Sequence, residues 1–181
     1  MVARRGIDAL NLRALAARAG VSPGAPYHHF GSRDGLLAAI AEEGFAHFET
    51  SLITARDAAP AADASARLEA IGQAYLRFAA VHPGYFRVMF HGDAGAEGPA
   101  ISGERAFALL HEAIVHCQRE GTAPAGDPAP LVLTAWSVVH GLATLRLDRA
   151  LPFKGLEPDR LAPRVAQLIT RMFAAAARPP G

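Results

Sequence analysis

The chain has few of the features that mark secreted, membrane-spanning or catalytic proteins. Its 181 residues include one cysteine, Cys117, which cannot close an intrachain disulfide. With no charged-then-apolar leader at the start, this favours a reducing cytoplasm. The longest uncharged run, Pro128 to Leu145, carries two prolines near its start together with Ser137 and His140. It falls short of the roughly 20 apolar residues that a membrane helix needs, so it reads as a buried helix and no membrane partner is expected. A glycine-rich phosphate loop, a paired-cysteine cluster and a nucleophile elbow are all missing, so the sequence supports no enzyme and implies no cofactor. His111-Glu112 with His116 imitates a zinc-protease signature, but histidines five apart lie about 140° apart around a helix and cannot share a metal. No strand pattern and no internal repeat competes with a helical reading.

Half of the residues, 51%, are hydrophobic and the net charge is only +1, the composition of a folded chain with a sizeable core. The charge is unevenly spread. Residues 1–33 hold five arginines against one aspartate, a basic end of the kind that phosphate binding favours. Within it, Leu12, Leu15, Ala16 and Ala19 fall at i, i+3, i+4 and i+7, one apolar helical stripe with Asn11 placed to cap it. Gly20 suits a left-handed helix end, Val21 can turn back toward the core, and Ser22-Pro23 read as cap and first turn of a second helix. Two helices joined by a three-residue turn make a helix-turn-helix. Ser22, Pro23, Gly24 and Ala25 give the second helix a small tip able to approach base edges or phosphates with its free N–H groups. Tyr27, His28, His29 and Arg33 can donate to phosphate oxygens. Pro26 lacks an N–H and biases Ala25 away from the helical region, so an irregular start is expected. The competing reading is a plain helical hairpin in an all-α core.

The run AARAGVSPGAPYHHFGSRDGLL resembles the DNA-binding motif of the TetR family of transcription regulators, in which a Tyr-x-x-Phe segment is followed by a basic residue, here Tyr27, Phe30 and Arg33. The resemblance implies base contacts at Arg13 and Ala25 with Pro23 and Gly24 beside them, and phosphate contacts at Tyr27, His28, His29 and Arg33. The full set of candidate DNA-contacting residues is Asn11, Leu12, Arg13, Ser22, Pro23, Gly24, Ala25, Tyr27, His28, His29 and Arg33. So small a tip leaves much of the specificity to Arg13, thymine methyls and DNA shape. The run from Trp136 to Gly141, with HPGYFRVMF at His82 to Phe90, is similar to the ligand-binding domain of a TetR subgroup named for a Trp, His and Gly signature. Family members usually have a full first helix, whereas only Val2 to Ala9 precedes Asn11 here. Either the natural chain begins further upstream, or its DNA-binding domain is weakened.

Helices are expected at about 3–9, 12–19, 23–29, 33–57, 64–81, 84–91, 102–120, 130–149 and 158–177. The expected fold is all-α, with a DNA-binding domain at 1–48 and a ligand-binding and dimerisation domain at 49–181. Leu37, Ile40, Ala41, Gly44, Phe48 and Leu52 share one face of the long fourth helix, which links the two. Leu131 to Leu147 is apolar nearly all round, and Leu161, Val165, Leu168, Ile169 and Met172 form a stripe on the last helix. Two such helices per subunit suit a four-helix homodimer interface. The two reading helices would then lie about 34–36 Å apart on a pseudo-palindromic DNA site. Tyr75, Phe78, Phe86, Met89, Phe90, Phe107, His111, Trp136 and His140 are candidate pocket residues for a small apolar or aromatic effector. Taken singly, each is better explained as core packing. The resulting expectation is a DNA-binding regulator, a repressor by the family's commoner habit, released by that effector. The alternative is a small-molecule-binding helical dimer that has lost its grip on DNA.

Overall fold

The computed structural model describes residues 7, 10–90, 99–151 and 158–178. The described residues form eight α-helices and no strand: α1 Leu12–Ala19, α2 Ala25–Phe30, α3 Arg33–Ala58, α4 Ala64–Val81, α5 Pro83–Met89, α6 Pro99–Arg119, α7 Ala129–Leu147 and α8 Pro158–Ala176. The helix expected at 3–9 lies outside the described residues, apart from Ile7. The chain divides into two compact units. Met1–His47 groups with His82–Glu104, and Phe48–Val81 with Arg105–Gly181. The segment around α5, placed by sequence in the second domain, therefore packs with the N-terminal residues.

In the first unit, Ile7, Leu10, Leu12, Leu36, Leu37, Ala41 and Val88 form a buried core, with Leu15, Phe30 and Ile40 packed against it. Each fully buried aliphatic side chain contributes about 1.5–3 kcal/mol. Asn11 caps α1 as expected, its Oδ1 accepting from the Arg13 and Ala14 N–H groups at 2.9 and 3.3 Å. Gly20 ends α1 at φ +70°, with its own N–H on the Ala17 carbonyl and that of Val21 on the Ala16 carbonyl. This paired closure satisfies two orphan carbonyls. Val21 does not turn inward, however, and remains exposed, because the left-handed residue before it swings the chain away from the core.

The start of α2 also differs from expectation. Ser22 to Ala25 form a turn closed by the Ala25 N–H on the Ser22 carbonyl at 3.0 Å. Gly24 rather than Ser22 is the cap, and no side chain bonds there. The helix starts two residues later than predicted because Pro26 must fall in its first turn, where its missing N–H costs nothing. Gly31 at φ +71° breaks the chain, and Ser32 caps α3 by accepting from the Gly35 N–H at 3.0 Å.

In the second unit α4 packs on α7 and α8, which also meet each other. At Gly72 the spacing is that of ordinary van der Waals contact, since a Cβ there would stand 3.4 Å from Cβ of Ala166 and 3.7 Å from a Val139 methyl. Helix α7 buries Val132, Ala135, Val139 and Ala143 on one face. Burial on several sides is not seen within the chain, where Leu133, Val138 and Leu145 are exposed. The predicted α8 stripe is similarly divided. Ala166, Ile169, Thr170 and Phe173 are buried, whereas Leu168 and Met172 are 55% and 56% exposed. By length and hydropathy Ala129–Leu147 could cross a membrane, but a bundle helix with a buried stripe has the same composition.

Two glycines hold the first unit together by close approach. A Cβ on Gly35 would overlap the Phe30 carbonyl oxygen, which is backbone and cannot yield, and one on Gly44 would lie 2.8 Å from the Met89 Sδ, which can move. Gly35→Ala should therefore destabilise this unit by about 2 kcal/mol or more, and Gly44→Ala by less. Thermal unfolding of the two variants measures both, and equal losses would contradict this ranking.

Candidate DNA interface and effector-binding residues

Helix α2 has six residues and buries only Pro26, with Phe30 half-buried one turn on. Pro26 and Phe30 lie on one face by the i, i+4 rule, which turns the others outward. Tyr27 is 48% exposed, and His28 and His29 are exposed beside it. The His29 ring meets Phe30 edge-on at 4.6 Å between centroids. Arg13 and Arg18 on α1 are exposed, as are Ser22, Pro23 and Gly24 in the turn, with Ala25 half-buried. A Cβ on Gly24 would meet nothing within 4 Å, so the tip is sterically open.

Three predicted contact residues have other roles. Leu12 is a core side chain and offers a duplex no surface. The side-chain oxygen of Asn11 is spent on the α1 cap. Arg33 donates from its Nη2 to the Ile7 carbonyl at 2.9 Å, part-buried, and its Nη1 lies 3.8 Å from the Asp34 carboxylate. The α2 tip is also poorer in free N–H groups than expected, since that of Ala25 is bonded to Ser22 and Pro26 has none. The donors that α2 presents outward are therefore side chains.

The nine candidate effector residues are distributed over both units. Phe86, Met89 and Phe90 belong to the first unit, where Phe90 packs edge-on against Phe45 at 5.6 Å and Phe86 lies 4.8 Å from Phe90. The other six are in the second unit. There, successive rings run Phe107, Trp136, His140, Tyr75, Phe48 and Phe78, with centroids 5.1–6.3 Å apart. His111 is exposed and outside this chain of rings. Phe48, missed as a pocket candidate, joins two of its members; it was visible only as part of an apolar stripe. The polar centre is Tyr75, whose hydroxyl lies 2.7 Å from His140 Nδ1. The arrangement that uses each group once has the Tyr75 O–H donating to a neutral imidazole. Burial pushes the Tyr75 pKa up and that of His140 down, both toward this uncharged pairing.

A separate cleft of about 380 Å³ in the second unit is lined by Arg56, Ala64, Arg67, Leu109, Glu112, Ala113, His116 and Arg119. Asp57 binds Arg56 through both carboxylate oxygens and Arg67 through one, at 2.8–3.3 Å. His116 lies 3.4 Å from Glu120. With three arginines and a glutamate in its lining, the cleft suits an apolar effector poorly. Cys117 is buried, and burial raises its thiol pKa, which makes it an inert core residue. Among the described residues no cluster of His, Cys, Asp or Glu could hold a metal.

An open-tipped helix-turn-helix followed by an all-helical domain defines a DNA-binding regulator. Residues 1–40 match the family described as bacterial regulatory proteins, tetR family, and residues 68–176 match the tetracyclin repressor-like C-terminal domain. The chain therefore belongs to the TetR family of transcriptional regulators, which are not enzymes. A protein of unknown function from Rhodococcus sp. RHA1 is 32% identical over 96% of this chain and 89% of its own, with a TM-score of 0.81. A tetR-family regulatory protein from Rhodococcus RHA1 is 25% identical over 95% of this chain and 90% of its own, at TM-score 0.75. AibR, solved with isovaleryl coenzyme A and operator DNA, is 19% identical over 96% of this chain and 92% of its own and shares the fold at TM-score 0.71. No curated protein sequence matches the chain.

The His140 shift has a consequence for stability. Its folded pKa lies below the ordinary 6.5, so between those two values the unfolded chain binds more protons than the folded one. The stability from neutral His140 is present above about pH 6.5 and is lost as pH falls toward the folded pKa. Thermal melts between pH 5 and 8 should show a steeper acid decline in the wild type than in His140→Gln; parallel curves would contradict the pairing.

Proposed function

We propose that the chain is a cytoplasmic, homodimeric repressor that leaves a pseudo-palindromic operator when a small apolar or aromatic molecule binds its second domain. The observation that carries the DNA half is the outward presentation of Tyr27, His28 and His29 beside an open Gly24 tip. These side chains contact phosphates, while Arg13, Pro23, Gly24 and Ala25 face base edges. AibR, of the same fold, is bound to both operator DNA and an acyl thioester, which supports coupling of an effector to DNA binding here. The effector-binding residues are Tyr75, Trp136, His140 and Phe107, whose rings adjoin around a neutral polar centre. Such a centre favours an uncharged guest with one hydrogen-bonding group.

Dimerisation rests on the outer faces of α7 and α8. Leu133 is 52% exposed, and Val138, Leu145, Leu168 and Met172 are exposed with it, more large apolar surface than solvent-facing helices ordinarily leave. Covering it with a second copy builds the four-helix interface. Helix α3 carries residues of both units, from Arg33 to Ala58. An effector that prefers one arrangement of the second domain can thus act on the reading heads through continuous helix, by no more than its differential affinity for the two states.

DNA fragments retained by the purified protein from a random-sequence pool define its operator. Tyr27→Ala should weaken retention and lower the salt dependence of binding, whereas Arg13→Ala should relax sequence preference by about 1–3 kcal/mol at one base pair. Undiminished retention by Tyr27→Ala would contradict this placement of α2. The double substitution Leu168→Glu, Met172→Glu should sediment as monomer; a dimer of unchanged affinity would place the interface elsewhere.

A further inference from the structure

Arg33 occupies the position at which the family resemblance implies a phosphate contact, but its guanidinium turns back into its own domain. Nη2 donates to the Ile7 carbonyl at 2.9 Å, and the same carbonyl accepts the Leu10 N–H at 2.9 Å. Both lone pairs of that oxygen are therefore used. One joins it to the turn leading into α1, and the other to the first residue of α3, which begins three residues after α2 ends. Ile7 and Leu10 are core residues packed with Leu12, Leu36 and Leu37, so the bond closes a ring between the entry to α1 and the start of α3. Helix α2 is otherwise anchored by buried Pro26 and by Phe30, which packs against that core.

We propose that Arg33 is a positioning residue for DNA recognition: it ties the Ile7 carbonyl to the start of α3 and so sets the angle at which α2 meets the duplex, and it makes no phosphate contact. The proposal rests on the reading of α2 as the DNA-facing helix. Its chemistry separates it from a phosphate contact in two ways. Losing a phosphate contact lowers the slope of log affinity against log salt by about 0.9 and weakens all sequences alike. Losing a positioning bond leaves the slope and reduces the preference for operator over other DNA. Lysine replaces arginine well as a point charge on phosphate, but not as a planar fork aimed at a carbonyl.

The test uses the full-length chain with a fragment selected by the wild type from random-sequence DNA, alongside a scrambled duplex, well below the melting transition. For Arg33→Ala we expect an unchanged salt slope and a roughly tenfold drop in the operator-to-scrambled affinity ratio. Arg33→Lys should recover less than half of that loss on the logarithmic scale. A slope reduced by about 0.9, or full rescue by Arg33→Lys, would overturn the proposal. Without DNA, hydrogen exchange at the Leu10 amide should quicken several-fold in Arg33→Ala, and unchanged exchange would overturn the proposal too. If Arg33→Ala fails to fold, Arg33→Lys decides alone, through its affinity ratio and Leu10 exchange. If the wild type selects no fragment, the DNA-binding reading of α2 fails, and this proposal about recognition falls with it even where Leu10 exchange responds; a wild type that selects while Arg33→Ala keeps its affinity ratio sinks the positioning role alone.

Discussion

A helix of six residues that buries a single proline cannot hold itself in place, and the first unit is organised around that constraint. Helix formation carries a nucleation cost that so short a segment does not recover from its own hydrogen bonds. Its position must come from neighbours: the core of Ile7, Leu10, Leu12, Leu36, Leu37, Ala41 and Val88 beneath it, the left-handed Gly31 behind it, and Gly35, whose missing side chain admits the Phe30 carbonyl. Because that anchorage is all on one side and at one end, Tyr27, His28 and His29 remain free to face outward. The weak burial that makes α2 dependent on its surroundings is also what leaves three hydrogen-bonding side chains available to a partner.

The second unit has a different economy. Its core is a packed bundle in which α4 meets α7 and α8. Inside it a row of rings is interrupted by one polar junction between Tyr75 and His140. Buried polar groups are costly when unpaired, so a network of this kind has few acceptable arrangements.

Much of the fold was legible because helix signals are local. The i, i+3, i+4 spacing of apolar residues, Asn11 as a cap, Gly20 at a left-handed end and the Pro-Gly breaks located the helices to within about three residues. The mistakes share one cause. Val21 and Leu12 were read from residue type at a motif position, while their burial depends on what the rest of the chain brings near them. The candidate effector residues were gathered by chemistry alone, while the unit each belongs to follows from packing.

The sequence by itself determined the helices, the helix-turn-helix and the family, since these follow from periodicity, capping residues and a motif within a few dozen consecutive positions. Only the tertiary structure decided which polar groups were already committed. Whether a guanidinium is free or bonded to a carbonyl 26 residues away, and whether a leucine on α8 faces its own core or solvent, depends on distances between segments. Nothing in the local order of residues encodes those distances.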